Sequence, residues 1–198
     1  MAPNLLPIIS YVLITTFTPG PSNIASASMG LLYGFRRTLS FLFGLAAGFF
    51  VVMILSGLVS STVLGLFPIL EPVLRYLGAA YILYLAFGIL KESYAFTENN
   101  TKPMGFWHGI LLQIVNPKLI VYAFTLFSSI LIPLIKNTIQ LVSAVLVLTV
   151  TSFCATAVWA LFGTAIKSYL HIPRVKTALN ICLSLLLVLT ALQLARLF

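Results

Sequence analysis

The chain is 198 residues long, and 61% of its residues are hydrophobic whereas only 7% are charged. A soluble domain of this size could not bury so much apolar surface, so the composition excludes a soluble enzyme or binding module. In a soluble protein, a formal charge of +8 would suggest binding to nucleic acid. In a membrane protein such charge lies mostly in loops and sets orientation, so nucleic acid is not expected as a partner.

Charged and turn-forming residues divide the chain into six apolar spans. Several of these spans reach or approach the roughly 20 apolar residues that a helix needs to cross a lipid bilayer. No soluble domain remains between them, so 1–198 is predicted to be one all-α, polytopic transmembrane domain embedded in the bilayer. The predicted spans are 5–34, 38–66, 73–90, 106–135, 137–166 and 177–196.

The sequence TPGPSN, residues 18–23, interrupts the first span near its middle. Pro19 and Pro21 lack a backbone N–H, so the carbonyl oxygens of Thr15 and Phe17 lose their helical partners. An unpaired backbone group is costly in hydrocarbon, so such a break is tolerated only where it is buried in protein or lines a wet cavity. One broken span by itself is also compatible with a simple proline kink.

A new half-helix is predicted to start directly after this break. Gly20 lets the chain turn, and Pro21 suits the first position of a helix because that position needs no N–H donor. The next three N–H groups have no partner within the helix and are expected to be free to bind a ligand. They belong to Ser22, Asn23 and Ile24.

The fourth span carries a similar signature at QIVNPKLI, residues 113–120. Asn116 is a favoured helix N-cap, Pro117 is a favoured first helical residue, and the carbonyl of Gln113 loses its partner. Lys118 follows in the first turn, where its charge opposes the helix dipole and is costly to bury. Unless Lys118 extends to the membrane surface, its counter-charge is expected to arrive with a ligand, most simply a carboxylate.

Two matched breaks favour a substrate site near the membrane midplane over two structural kinks. Asn180 in the sixth span is a weaker candidate, because such residues equally often form hydrogen bonds between helices. No metal-binding motif, nucleotide-binding loop or pair of nucleophile and base occurs, so no cofactor, metal or catalytic residue is expected. The candidate substrate-binding residues are Thr18, Pro19, Gly20, Pro21, Ser22, Asn23, Gln113, Asn116, Pro117, Lys118 and Asn180.

The two halves of the chain, about 1–99 and 100–198, place their breaks at corresponding positions. Pro19 and Pro117 lie 98 positions apart, close to half the chain length. Each half has three spans, so a duplicated half would insert upside down and give the inverted repeats of many secondary transporters. Basic residues are more numerous in the loops after spans one, three and five, so the positive-inside rule predicts that both termini face outward.

Four segments resemble the LysE/RhtB family of amino-acid exporters: TPGPSN, YGFRRTLSFLFGLAAGF, LGAAYILYLAFGIL and FWHGILLQIVNPK. The segments YVLITTFTPGPSNI and FWHGILLQIVNPKLIVY are most similar to the branch that exports cysteine and O-acetylserine. The resemblance implies a multi-pass carrier of the bacterial inner membrane that moves amino acids outward and is driven by a proton or sodium gradient. It also implies that a homo-oligomer is one possible form of the protein. The family commonly has asparagine directly after the second proline, whereas here Ser22 stands there and Asn23 follows.

The predicted function is therefore secondary export of amino acids by alternating access. The alternative is a passive pore or a non-transporting membrane subunit, in which the breaks are structural kinks. A thiol oxidoreductase is disfavoured, because Cys154 and Cys182 fall in spans five and six, whereas electron carriers of the wider superfamily have theirs in spans one and four. Glu71, Glu92 and Glu98 all fall in predicted loops, so no buried carboxylate is expected to bind a coupling ion.

Overall fold

The computed structural model describes residues 6–66, 76, 79–80, 82–84, 86–87, 103–127, 131, 134–169 and 172–195. These residues are mostly helical and include no strand, as the all-α prediction requires. A short 3-10 turn, Lys167–Tyr169, follows the sixth helix, and the described positions from 76 to 87 are helical as well. The α-helices are α1 (Leu6–Phe17), α2 (Pro21–Tyr33), α3 (Phe35–Leu66), α4 (Phe106–Ile114), α5 (Pro117–Leu126), α6 (Thr138–Ile166) and α7 (Pro173–Leu194).

Two of the described helical stretches are long and apolar enough to cross a membrane alone: Phe35–Val59 within α3, and Thr138–Tyr169, which includes α6. Helices α4 and α5 together form a third candidate span, which is bent by 61° at the break. The helices therefore support a polytopic membrane protein. The six-span arrangement, the inverted repeat and the orientation of the termini stay predictions, since much of the predicted third span lies outside the described residues.

The ends of the described helices differ from the predicted spans by a few residues at identifiable positions. Helix α3 starts three residues early and takes the exposed Arg36 and Arg37 into its first turn. Helix α6 starts one residue late, because Asn137 is its N-cap and accepts a hydrogen bond of 2.9 Å from the Gln140 N–H. Helix α7 starts at Pro173, four residues early, since proline fits the first helical position.

Glycine brings α2 and α6 into backbone contact. A methyl group at Gly30 would overlap the carbonyl oxygen of Ala160, and one at Gly163 would overlap the carbonyl oxygen of Ala27. The Thr164 hydroxyl reinforces this crossing, because it lies 3.0 Å from the Gly30 carbonyl oxygen on the opposite helix. The crossing fixes α2, which begins at the first break, against the long helix α6.

A second backbone contact joins α3 to α4. A methyl group at Gly44 would overlap the carbonyl oxygen of Phe106, and one at Gly109 would overlap the carbonyl oxygen of Phe41. Small residues allow helices in membranes to approach in this way, since lipid supplies no hydrophobic drive for their association. Helix α4, which ends at the second break, is thereby held against the long helix α3.

The break between α4 and α5 lies beside an apolar core shared by α3, α5 and α6. Side chains from these helices that are almost fully buried fill this core, so the start of α5 is supported from two sides. The buried members are Phe49, Met53, Leu119, Tyr122, Ala123, Leu126, Phe127, Leu141, Val145 and Leu148.

Candidate functional site

The two helix breaks, whose prolines Pro19 and Pro117 are 98 positions apart in sequence, meet in the structure. The Lys118 ammonium at the start of α5 lies 2.9 Å from the Thr18 carbonyl oxygen and 3.3 Å from that of Pro19. A Cβ atom at Gly20 would lie only 2.8 Å from Lys118 Cδ, so the lysine stem lies directly against this glycine. The first break therefore binds the lysine of the second.

Three buried polar side chains join the breaks a second time. The Ser22 hydroxyl donates to Gln113 Oε1 at 2.6 Å and accepts from Asn116 Nδ2 at 2.9 Å. The same Asn116 Nδ2 also lies 3.1 Å from Gln113 Oε1. Because all three side chains are buried, these bonds are shielded from competition with water. This network connects the start of α2 to both helices at the second break.

The N-terminus of α5 is capped as its sequence predicts. Asn116 Oδ1 accepts hydrogen bonds from the backbone N–H of Lys118 at 3.1 Å and of Leu119 at 3.4 Å, and Pro117 occupies the first turn. The side chain of Asn116 therefore already pairs two of the donors that this helix end offers. A ligand at α5 would mainly meet the lysine side chain rather than these N–H groups.

The N-terminus of α2 has no such cap. Gly20 holds the N-cap position and has no side chain to accept a hydrogen bond, while Pro21 begins the helix as predicted. The expectation that the Ile24 N–H would be free is wrong, because this group donates to the Gly20 carbonyl at 2.9 Å. The N–H groups of Ser22 and Asn23 precede the helix's own bonding pattern, so they are the donors that α2 can offer a ligand.

Side chains satisfy the carbonyl oxygens that the first break exposes. Asn23 Nδ2 donates to the carbonyls of Thr16 at 2.9 Å and Thr18 at 2.8 Å. The Thr190 hydroxyl in α7 donates to the Pro19 carbonyl at 3.0 Å. These bonds pair backbone groups that would be costly to leave bare in a membrane. Asn23 thus stabilises the break, and its amide N–H groups are already used.

The sequence predicted that three carbonyls lose their helical partners, and the structure supplies a new donor to two of them. The Phe17 carbonyl accepts a hydrogen bond of 3.1 Å from the Trp159 indole N–H of α6. The Gln113 carbonyl accepts the N–H of the residue three positions later at 3.2 Å. The Thr18 hydroxyl lies 3.3 Å from the Thr15 carbonyl oxygen, but its single hydrogen is directed at the closer carbonyl one residue earlier. The Phe17 and Gln113 carbonyls lost a helical partner and gained another, so neither of them is vacant for a substrate ammonium.

Two cavities adjoin at the breaks. The smaller one, of about 50 Å³, is called the main cavity because most of the predicted site residues line it. Its lining consists of Thr15, Thr16, Gly20, Ser22, Asn23, Phe49, Gln113, Asn116, Lys118, Leu119, Tyr122, Ser152 and Thr156. The second cavity, of about 200 Å³, is lined by Tyr11, Thr15, Thr18, Lys118, Val121, Tyr122 and Thr190. Three residues line both and form the partition between them: Thr15, Lys118 and Tyr122.

Lys118 is the charged group among the side chains that line these cavities. The described part of the chain contains no aspartate or glutamate at all, since Glu71, Glu92 and Glu98 lie outside it. The prediction that these acids lie in loops is therefore not tested. A mostly apolar enclosure with one cation and several hydroxyl and amide groups favours a small anionic or zwitterionic solute.

The comparison with known proteins decides the family. Residues 13–197 match the model of the LysE type translocators. The chain belongs to this family. As a translocator it is a transporter and not an enzyme, in agreement with the prediction from sequence.

Relatives of this translocator cover nearly its whole length. The cysteine/O-acetylserine efflux protein of Salmonella typhimurium is 35% identical over 195 residues, which cover 98% of each chain. The protein of the same name from Klebsiella pneumoniae is 36% identical over 164 residues, covering 82% of this chain and 84% of the relative. That of Escherichia coli is 34% identical over 194 residues and 98% of both chains. No solved structure matches the translocator.

Most of the predicted site residues of the translocator come together in the structure. Six line the main cavity, Thr18 lines the second, and Pro19 contributes its carbonyl to Lys118. Pro21 and Pro117 begin the two half-helices. Asn180 lies in α7, and its side chain is outside the described structure. The six predicted residues that line the main cavity are Gly20, Ser22, Asn23, Gln113, Asn116 and Lys118.

The sequence analysis did not identify several other residues that line the two cavities of the translocator. Ser152 and Thr156 stand four positions apart in an apolar helix, and this spacing places both on one face of α6, a signal that would have found them. Thr15 and Thr16 lie in the last turn of α1, just before the break. Thr190 has no local signal, because only the packing of α7 against the first break brings it to the site.

Replacing Asn116 by alanine should destabilise the translocator by about 2 kcal/mol or more. The change removes the cap of α5 at a site where little water can replace it, and it also removes the bonds to Ser22 and Gln113. Asn137 supplies a matched control, because it caps α6 in the same way but is exposed. Asn137→Ala should cost only about 0.5–1 kcal/mol.

Thermal unfolding of both purified variants in detergent measures the difference. Equal losses of stability for Asn116→Ala and Asn137→Ala would mean that the buried network at the second break adds nothing to the cap itself.

Proposed function

We propose that this translocator exports small amino acids, with cysteine and O-acetylserine as its substrates, from the bacterial cytoplasm across the inner membrane. The names of its relatives support the substrate class. The observation that carries the proposal is the Lys118 ammonium, which stands between the two helix breaks in a cavity whose described lining contains no acidic side chain. A substrate carboxylate supplies the anion that this arrangement lacks.

The carboxylate binds between Lys118 and the start of α2. An ammonium has three N–H donors, and two of them are directed at the Thr18 and Pro19 carbonyls, which leaves one for the substrate. The uncapped N–H groups of Ser22 and Asn23 supply further donors at the positive end of the helix dipole. The N-terminus of α5 contributes no free N–H groups to this site, because the side chain of Asn116 already caps it.

The substrate ammonium binds side-chain oxygens rather than the carbonyls freed by proline. Ser152, Thr156 and Thr16 present hydroxyl groups to the main cavity, and Gln113 Oε1 is an acceptor there as well. A small polar enclosure of this kind suits a short side chain, such as a thiol or an acetylated hydroxyl. Large aromatic amino acids are therefore not substrates of this site.

Export follows an alternating-access cycle. If both termini face outward, α1 and α5 form the outer halves of their spans, and α2 and α4 form the inner halves. The site at the breaks is then open to each side in turn as these half-helices move. A proton or sodium gradient drives the cycle. The protein works within the lipid bilayer, either as a single chain or as a homo-oligomer.

Transport into inside-out membrane vesicles tests this function. Vesicles that contain the protein should accumulate labelled cysteine and O-acetylserine when a proton or sodium gradient is imposed, and an ionophore that dissipates the gradient should abolish accumulation. Vesicles without the protein are the control. If neither compound accumulates under either gradient, the proposal is wrong, and flux that ignores every gradient would indicate a passive pore instead.

A further inference from the structure

Tyr122 carries a buried hydroxyl group that forms no hydrogen bond within the described structure. Its side chain is only 5% exposed, and its hydroxyl has no hydrogen-bond partner among the described residues. The Thr16 side chain lies near this hydroxyl, but the two groups do not make a well-formed hydrogen bond. A buried polar group without a partner destabilises a protein, and phenylalanine at this position would avoid that cost.

The ring of Tyr122 is held from two sides. It stacks on Tyr11 of α1 with ring centroids 6.0 Å apart, and it contacts Phe49 of α3 at a centroid distance of 6.5 Å. It also belongs to the apolar core that supports α5. The ring therefore cannot easily turn its hydroxyl to the surface, and the Tyr122 side chain stays in the lining that the two cavities share. The hydroxyl oxygen itself is almost fully covered, so a small shift of the lining must open it to a ligand.

Tyr122 and Lys118 stand four positions apart on α5, which places them on the same face of the helix. Both line the main cavity and the second cavity, so a solute that moves between the cavities passes both side chains. One side chain is a cation and the other a neutral hydroxyl donor. This combination matches an anion, because a carboxylate oxygen accepts hydrogen bonds from both.

We propose that the Tyr122 hydroxyl is a substrate-binding group that donates a hydrogen bond to the carboxylate of the transported amino acid beside Lys118. The inference rests on the proposed function and adds to it the place where the substrate carboxylate is bound. The carboxylate is bound where the main cavity meets the second one. The substrate thereby supplies the partner that the hydroxyl lacks in its absence.

The variant Tyr122→Phe separates this role from a structural one. It keeps the ring and its stacking on Tyr11, and it removes only the hydroxyl. Because no internal hydrogen bond is lost, thermal stability in detergent should be unchanged or higher. The KM for cysteine and O-acetylserine uptake into inside-out vesicles should rise by about tenfold to a hundredfold, as expected for a lost hydrogen bond to a charged group.

An analogue without the carboxylate sharpens the test. Cysteine amide lacks the negative charge, so it should compete weakly with labelled cysteine. Its apparent affinity should fall less in Tyr122→Phe than that of cysteine, because its carbonyl oxygen accepts only a weaker, neutral hydrogen bond. The matched control is Tyr169→Phe, since Tyr169 is 59% exposed in the 3-10 turn after α6. This control should transport cysteine with the KM of the wild type.

Three outcomes would overturn the inference. An unchanged KM in Tyr122→Phe removes the hydroxyl from the substrate site. If Tyr122→Phe loses transport and is also clearly less stable to heat than the wild type, the hydroxyl has a structural role. Wild-type vesicles that accumulate no amino acid overturn the proposed function, and this inference falls with it.

Discussion

Lys118→Met is expected to reduce the kcat/KM of amino-acid transport by roughly 30-fold to a few thousandfold, while the protein still folds. Methionine keeps much of the apolar stem but removes the cation that binds the substrate carboxylate. The carbonyls that Lys118 contacts keep other donors, because Thr18 still accepts from Asn23 and Pro19 still accepts from Thr190. Neither of these two carbonyls is therefore left bare in the membrane.

The measurement pairs initial rates in inside-out vesicles with size-exclusion profiles and thermal unfolding in detergent. Lys136→Met is the matched control, since Lys136 is exposed and lines neither of the two cavities. It should transport and unfold like the wild type. If Lys118→Met keeps wild-type kinetics, Lys118 does not bind substrate. If it aggregates, the lysine mainly holds the break together.

The broken helices are the part of the fold that sequence predicts well. Proline lacks a donor and restricts its own dihedral angle, so its effect on a helix is local and does not depend on distant packing. The structure accordingly starts α2 at Pro21 and α5 at Pro117, and it places Asn116 as the cap of α5. The ends of the long helices are less well predicted, because charge alone does not end a helix: Arg36 and Arg37 lie within the first turn of α3.

The partners of the opened carbonyls could not be predicted in the same way. Proline shows which carbonyls lose a helical donor, but the replacement donor depends on which helix packs against the break. Trp159 and Thr190 supply two of these donors from 142 and 171 positions away. Asn23 supplies a nearer one, and its use for the break explains why this asparagine is a structural donor as well as a cavity residue.

Gly30→Ala is expected to destabilise the protein by about 1–3 kcal/mol, the usual cost of an overpacked contact. Helix propensity alone predicts the opposite sign, because alanine within a helix is favoured over glycine by roughly 0.5–1 kcal/mol. Packing decides the outcome here, since the added methyl overlaps the backbone carbonyl of Ala160, which cannot rotate away as a side chain can. Helices α2 and α6 must separate to admit it.

Gly57→Ala is the matched control for this prediction. Gly57 also lies within a long helix, but a Cβ atom there would meet side chains only, with Leu141 Cδ1 at 2.6 Å and the Phe127 ring at 3.1 Å. These side chains can move, so this variant should lose less stability than Gly30→Ala. Thermal unfolding of the two purified variants in detergent gives the order. If Gly30→Ala were as stable as the wild type, the α2–α6 crossing would be looser than the backbone contact implies. The start of α2, and with it Ser22, would then not be fixed by α6.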